Sequence, residues 1–569
     1  MTQTIPIALF ARARSSMRPS RPAPVPRQPS HTTARRMPPK SRARPPKPPE
    51  RARHLFTRPF ALFLVLRIVN AFVVRTFFVA DEFWQSAEVA HALVYGYGHA
   101  TWEWRARLRS HAHPLLYAAV YKLGDVVGLR SDAFVRNAPR VVGGFIAAAH
   151  DAGCGRLGRR FGGEKCEFWS LALRAMNWFV FYCETRGLSN CAEACATTWA
   201  LAYWPLDGLG RAKGGARRRR KALSFAAIAC VMRPTSGILW LALGASALAR
   251  RGDPVGEKAR FALLEAAPIG AFALAASACV DRYFYGEWTF VPWNFVKFNF
   301  LSGKSAIYGA NPWHWYLTQG YPAVLGTMLP LALIGFWRNR VKNNAAFAVT
   351  FWTLFGYSLA AHKEFRFVLP CVSASIVSAA SVLTEMMPSR RRLVLLALAL
   401  TNVPAALYMS LRHQAGTIAL MPHIADLAKQ GAIVDGGVLF AVPCHQTPFY
   451  SHVHREIRME FLDCSPDIPE GEDDSARFAS DPETWLNARF GRTVDDSHRT
   501  CAVASALAPS HVALFDGDAR RAAPWLERWN YALERTFHHA DVAVDREIQR
   551  ALHLYARPPH DASACRAQT

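Results

Sequence analysis

From Phe60 onward the chain presents one apolar stretch after another, most of them near the length of a bilayer crossing, and this succession limits the fold more than any other feature. The first, Phe60 to Val79, reads "FALFLVLRIVNAFVVRTFFV". About twenty apolar residues span the hydrocarbon core as a helix. Only a helix or a closed barrel satisfies its own backbone there. Comparable stretches lie near 134–153, 168–185, 194–206, 222–249, 261–280, 321–337, 345–361, 367–387 and 393–411. Taking 222–249 as two passes predicts about eleven transmembrane helices, an α-helical polytopic membrane protein.

The net charge of +26 suggests nucleic acid until it is mapped. Residues 1–58 hold 14 Lys and Arg against one acid, Glu50, which is half of the excess. No aromatic residue interleaves the cations between positions 11 and 55, so stacking on bases has no platform and no nucleic-acid partner is predicted. The Pro-rich runs "RPAPVPRQPS" and "KSRARPPKPPE" cannot build a core, so residues 1–58 read as a disordered Arg/Pro-rich cytosolic extension. An organelle transit peptide is the alternative, although Pro interrupts an amphipathic helix there. No short apolar core precedes a cleavage site, so no signal peptide is evident. Basic short loops stay cytosolic. That rule places "RLGRRFGGEK", "GRAKGGARRRRK", "RNRVK" and "SRRR" inside. It leaves a polytopic catalytic domain at 59–411 with luminal loops 80–133 and 281–320, and a luminal C-terminal domain at 412–569.

The segments facing the lumen in this reading carry the chemistry. "VADEFWQSAEVAH" sets Asp81 and Glu82 at a membrane edge, where low dielectric raises a carboxylate's basicity. In a helix the two point about 100° apart, so one acid works while the other binds or anchors. The bland alternative has Asp81 capping the next helix and Trp84 anchoring at the interface. Glu88 and His91, at i and i+3, are placed to pair. In "AHKEFRFVLP", His362, Lys363 and Arg366 can neutralise a phosphate; a charged turn capping two helices is the alternative. Arg233, in "VMRPTSG", needs an anion or water inside an apolar stretch, and Pro234 supports a break beside it. The aromatic and amide side chains of 281–320, among them Trp293, Asn294, Trp313, His314, Trp315 and Gln319, suit glycan faces and hydroxyls, as do Trp84 and Gln85. They equally suit an interface belt. Cys444, His445, His452 and His454 are zinc-binding types at no standard spacing, so no metal site is predicted.

Together these segments resemble the eukaryotic GPI mannosyltransferases and their relatives in glycosyltransferase family 22, and most of all the branch that adds the third mannose. The resemblance rests on "ADEFWQSAEVAH", "TWEW", "RSHAHPLLYAAVYK", "LSNCAEA", "MRPTSGILWL", "DRYFYGEWTFVPWNFVKFNF", "YGANPWHWYLTQGYPAVLGTMLP", "HKEFRFVLP", "PCHQTPFYSHVH" and "ERTFH", in that order over about residues 58–540. Gln446, Phe83 and Phe449 depart from the expected pattern. It implies a type C glycosyltransferase (GT-C) fold in the endoplasmic reticulum membrane. The implied donor is dolichyl-phosphate mannose, the acceptor a GPI precursor with two mannoses, and no cofactor is involved. Asp81 is implied as general base for an inverting α-1,2 transfer, with Arg366, Lys363, His362 and Arg233 as candidates to hold the leaving phosphate. A sibling transferase, for the fourth GPI mannose or an N-glycan precursor, and a lipid transporter or flippase are the alternatives. A luminal tail would be oxidising, and Cys444, Cys464, Cys501 and Cys565 allow three full pairings. Cys444–Cys464 is favoured because both flank the histidine segment.

Overall fold

The structure is a computed structural model that describes residues 57–558, apart from 207, 211–214, 305–308, 340–343, 435, 470, 491–507 and 543–548. Most of the basic extension, together with Cys501 and Cys565, lies outside the described residues. The membrane part is helical: α1 (Thr57–Val73), α2 (Glu88–Tyr95), α3 (Pro114–Val126), α4 (Asp132–Met176), α5 (Ser189–Tyr203), α6 (Gly215–Met232), α7 (Ser236–Ala249), α8 (Ala267–Tyr285), α9 (Leu329–Arg338), α10 (Asn344–Ser358), α11 (Leu369–Glu385) and α12 (Pro388–Leu411).

Local sequence sets several boundaries. Ser131 caps α4 by accepting from the Phe134 N–H. Gly162 and Gly163 break it, with Gly163 at φ +72°, a conformation that a side chain resists. α11 is rich in Ser and Ala and is buried almost throughout. Its small residues let neighbours approach closely: a Cβ on Gly335 would sit 2.1 Å from the Ser378 carbonyl oxygen. The first apolar stretch stays helical only to Val73, short of the expected Val79. Beyond it the Arg75 and Phe77 amides donate to the carbonyls of Ser410 and Gln414, which draws the chain out of the helix toward the site.

Four helical stretches, Val255–Tyr285, Tyr316–Arg338, Phe365–Glu385 and Pro388–Gln430, are long and apolar enough to cross a membrane, and Phe60–Val73 and Ser236–Ala249 are shorter apolar helices. This criterion does not reproduce the expected eleven. α1 is too short to count, and α4 carries charged residues along its length, some of them buried in a cluster with Arg67 of α1. Arg67 binds Asp151 through Nε at 2.6 Å and Nη2 at 2.9 Å. Arg174 reaches Asp151 at 2.5 Å and also binds Glu184, whose carboxylate lies 3.2 Å from His150. Two guanidiniums face two carboxylates, so the cluster is charge-balanced and sealed from solvent.

After α12, α13 (Gly416–Gln430) leads to a five-stranded sheet of order β2-β1-β3-β5-β4, with β1 Val438–Ala441, β2 Met459–Phe461, β3 His511–Phe515, β4 Ala532–His538 and β5 Ala551–Ala556. β1 runs parallel to β2 and β3, while β5 is antiparallel to β3 and β4. Alternation sorts the residues between two cores. Val438 and Phe440 face α13 with Phe515 and Leu552, while Leu439 and Ala441 face Trp485 and Trp525 on the other side. Both faces being covered explains the unbroken apolar runs "VLFA" and "VALF". Trp84, from the acid-pair segment, packs into the first of these cores and ties the C-terminal sheet to the site.

Candidate active site

The acid pair sits where the chain turns into a helix, followed by a π-helical turn at Phe83–Ala87. The two carboxylates part company there. Glu82 is buried; Arg186 Nη1 lies 2.7 Å from its Oε2, and the Phe78 amide donates to Oε1 at 3.0 Å. Arg186 also donates to the Thr76 carbonyl (2.6 Å), the Thr76 hydroxyl (3.0 Å) and the Tyr182 carbonyl (2.8 Å). Burial pushes the Glu82 carboxyl above its ordinary range despite Arg186. Glu82 is therefore a clamp inside the fold.

Asp81 faces the other way, onto a cavity of about 1040 Å³ between the membrane helices and the sheet domain. Arg366 Nη1 lies 2.7 Å and Arg109 Nη2 4.0 Å from Asp81 Oδ2. Burial alone would raise this carboxyl, but the two guanidiniums outweigh it and hold it below the ordinary value. This corrects the expectation of a raised Asp81: the membrane edge lowers the dielectric, but the fold supplies two cations. Among the described residues its carboxylate caps no helix N–H. Arg366 is shared, binding Glu364 through Nε at 2.7 Å and Nη2 at 2.6 Å. His362 Nε2 lies 3.0 Å from the same carboxylate. Burial would push Glu364 up, yet Arg366 and His362 hold it far below the carboxylate range.

The remaining expected residues divide sharply. Lys363 is buried, and its ammonium donates to the carbonyls of Asn311, at 2.9 Å, and Ala360, so it tethers loops and does not line the cavity. Arg233 lies between α6 and α7 on the cavity wall; it donates to Ser189 Oγ (3.3 Å) and Asn190 Oδ1 (3.2 Å), with Glu193 3.7 Å away. Trp84 lines the cavity and donates through Nε1 to the His445 carbonyl. Gln85 donates to Glu103 at 2.9 Å. Trp293, Asn294, Trp313, His314, Trp315 and Gln319 do not line the cavity. Trp293 and Trp313 are exposed, and Trp315 is buried against Phe365. From the same loop, Phe295, Phe298 and Asn299 reach the cavity instead.

Sequence reasoning missed Glu103 and Arg109, which pair at 2.6 Å beside Asp81. It also misplaced Glu88. Its carboxylate accepts from the amides of Phe449 (2.8 Å), Tyr450 (3.0 Å) and Ser451 (3.1 Å) and from the Ser451 hydroxyl (2.5 Å), while His91 meets His454 at 2.9 Å. Three converging amides outcompete a helical neighbour. Of the zinc-type residues, Cys444 is in a disulfide with Cys464, as favoured, and His452 and His454 lie off the cavity. Burial pushes His445, on the cavity wall, down to about 4, so it is neutral at physiological pH.

A second, mostly apolar groove of about 430 Å³ opens beside the first, between α6, α7 and α8. Arg109, Arg233, Leu108 and Phe295 line both spaces. At this junction the buried Arg109 Nε and His113 Nε2 have no hydrogen-bond partner among the described residues. Burial lowers His113 to about 4. A mostly apolar groove thus ends on cations beside an ionised carboxylate that faces a wider chamber.

A family model described as the Alg9-like mannosyltransferase family matches residues 58–454. Mannosyltransferase APTG1 of Arabidopsis thaliana is 37% identical over 529 residues, covering 88% of this chain and 92% of its own. GPI alpha-1,2-mannosyltransferase 3 of Mus musculus is 36% identical over 498 residues, covering 87% and 88%. The Homo sapiens protein of that name is 35% identical, covering 87% and 86%. Among solved structures, ArnT from Cupriavidus metallidurans bound to undecaprenyl phosphate superposes with a TM-score of 0.53 at 12% identity, covering 89% of this chain and 98% of that one. That likeness shows the fold, type C glycosyltransferase.

Proposed function

The chain belongs to the Alg9-like mannosyltransferase family, and from that premise we propose that it adds the third, α-1,2-linked mannose of the GPI-anchor precursor, using dolichyl-phosphate mannose. Family membership replaces the transporter reading with an enzyme, and the relatives' names favour the third mannose over a sibling transfer. The observation that carries the mechanism is the junction of the two spaces: the apolar groove suits a polyprenyl chain, Arg109 and Arg233 its phosphate, and the wider chamber, with Asp81, Glu103, His362 and Glu364 on its wall, the acceptor glycan.

In this reading the acceptor's 2-hydroxyl oxygen attacks the anomeric carbon. The bond from that carbon to the phosphate oxygen breaks, dolichyl phosphate leaves, and Asp81 takes the hydroxyl proton. The configuration inverts from β donor to α product. The leaving phosphate needs positive charge, not a proton. Arg366 binds Asp81 and Glu364 and lines neither space, so it orients the base, while Arg109, whose Nε has no partner among the described residues, and Arg233 line both spaces and receive the phosphate.

The direct test is the GPI intermediate that accumulates in cells lacking the protein. A two-mannose species supports this assignment; a three-mannose species moves the chain to the next transfer. Arg233→Gln should raise the donor KM roughly ten- to a hundredfold, the worth of a hydrogen bond to a charged group, with a smaller change in kcat. Measured transfer against donor concentration decides it.

An endoplasmic reticulum location rests on the GPI assignment, and the positive-inside rule supports an orientation with the chamber and sheet domain in the lumen. The chain has no N-x-S/T sequon. Asp467, 82% exposed at the side chain, offers a place for one. The double change Asp467→Asn, Pro469→Thr should add one glycan, removable by endoglycosidase, to the correctly inserted protein. An unmodified but active protein would reverse the orientation.

A further inference from the structure

At the far end of α6 from Arg233 lies a third hollow, of about 560 Å³, that the transfer reaction does not use. Arg217, Arg220 and Lys221 line its upper part. None of the three has a carboxylate within ion-pair reach among the described residues. The nearby acids Glu257 and Glu265 are taken by the buried Arg219, at 3.0 and 2.7 Å. Tyr203 forms the wall, with Lys221 Nζ 5.4 Å and Arg156 4.7 Å from its ring centre, and Phe225 stacks on it at 6.2 Å. Further along the helix come Ser224, Phe225 and Ile228.

Positions 217, 220, 221, 224, 225 and 228 follow helical spacing, so they form one stripe about 16 Å long. Its chemistry changes along the axis from guanidinium and ammonium, through hydroxyl, to aromatic and aliphatic. A soluble phosphate would use only the first half. A molecule with an anionic head and an apolar tail uses all of it. Arg217 lies 16 residues before Arg233, or about 24 Å along the helix, near the thickness of the hydrocarbon core. The basic end of the hollow therefore lies at the opposite end of α6 from the catalytic chamber, and its apolar end points back along the helix toward it.

We infer that this hollow binds the phosphate headgroup of an anionic phospholipid, with Arg217, Arg220 and Lys221 on the phosphate and an acyl chain along Phe225 and Ile228. α6 then touches a membrane lipid with one flank, while Leu223, Ala226 and Cys230 on another flank line the apolar groove beside the catalytic chamber.

The test uses the full chain in nanodiscs of phosphatidylcholine with or without phosphatidylinositol, read by native mass spectrometry and thermal unfolding. The wild type should retain one phosphatidylinositol and unfold at higher temperature when it is present. The triple variant Arg217→Gln, Arg220→Gln, Lys221→Gln should weaken retention roughly a hundredfold through the loss of three surface cations. Its mannosyl transfer in pure phosphatidylcholine should match wild type, which shows that it folds. A control, Arg390→Gln with Arg392→Gln at the start of α12, should keep the lipid. Equal loss in the control would reduce the effect to diffuse basic charge and overturn the site. So would equal retention of phosphatidylcholine. Displacement by soluble glycerophosphoinositol at matching concentration would make it a simple phosphate site, and displacement by an acidic peptide would make it a protein contact; either would also overturn it.

Discussion

Asp81→Asn is expected to accumulate near wild-type levels while mannosyl transfer falls about 10²–10⁴-fold, the usual worth of a general base. Asparagine keeps the size and can still accept a hydrogen bond from Arg366, but it cannot take the acceptor's proton. The fold tolerates the change because Arg366 keeps both contacts to Glu364. Cells carrying only this variant should build up the two-mannose intermediate, visible on labelling with radioactive mannose. Wild-type transfer by the purified variant would remove Asp81 from the chemistry.

Glu82→Ala should fail in the opposite way. It strands the Arg186 guanidinium in a buried site, and removing one partner of a buried pair costs about 3–5 kcal/mol. That is a large share of a typical domain's stability. The expected result is low abundance and a lowered unfolding temperature in detergent. Whatever protein survives should keep much of its activity per folded molecule, because Glu82 does not face the chamber. Glu82→Gln should be milder, since burial already favours the uncharged carboxyl and an amide preserves part of the hydrogen bonding. Adjacent acids with opposite phenotypes, one in rate and one in quantity, would separate base from clamp. A Glu82→Ala protein of full stability and no activity would exchange their roles.

Half of that division is legible in the amino-acid sequence. A helical start predicts that Asp81 and Glu82 diverge, and they do, because 100° of rotation is a local property. Which one faces substrate depends on Arg186, about a hundred residues away, and on Arg366, nearly three hundred away. No spacing rule reaches that far. The apolar runs announce helices, and the Arg233–Pro234 break falls where expected, because hydropathy and proline act locally. The aromatic loop shows the opposite case. Residue types suited to glycans fill 281–320, yet the chamber takes Phe295 and Asn299 and leaves Trp293 and Trp313 outside. Composition identifies the loop, and only its fold selects the residues. Arg109 and Glu103 escape notice because charged residues in a basic, aromatic segment look like interface anchors until a partner is known.

The charge-balanced cluster inside the bundle also constrains how the protein is made. α1 carries Arg67 near its middle, and apart from Asp151 that cation would sit in lipid at a cost of about 2.5–3.5 kcal/mol or more. Its partner lies 84 residues downstream. At common synthesis speeds the ribosome needs roughly four to seventeen seconds to deliver it. During that interval the first helix is a poor resident of the bilayer. The cation loses that disadvantage only when α4 brings Asp151 beside it. Arg67→Leu should therefore speed entry of the first helix into lipid while leaving Asp151 without its Arg67 contacts in the finished protein.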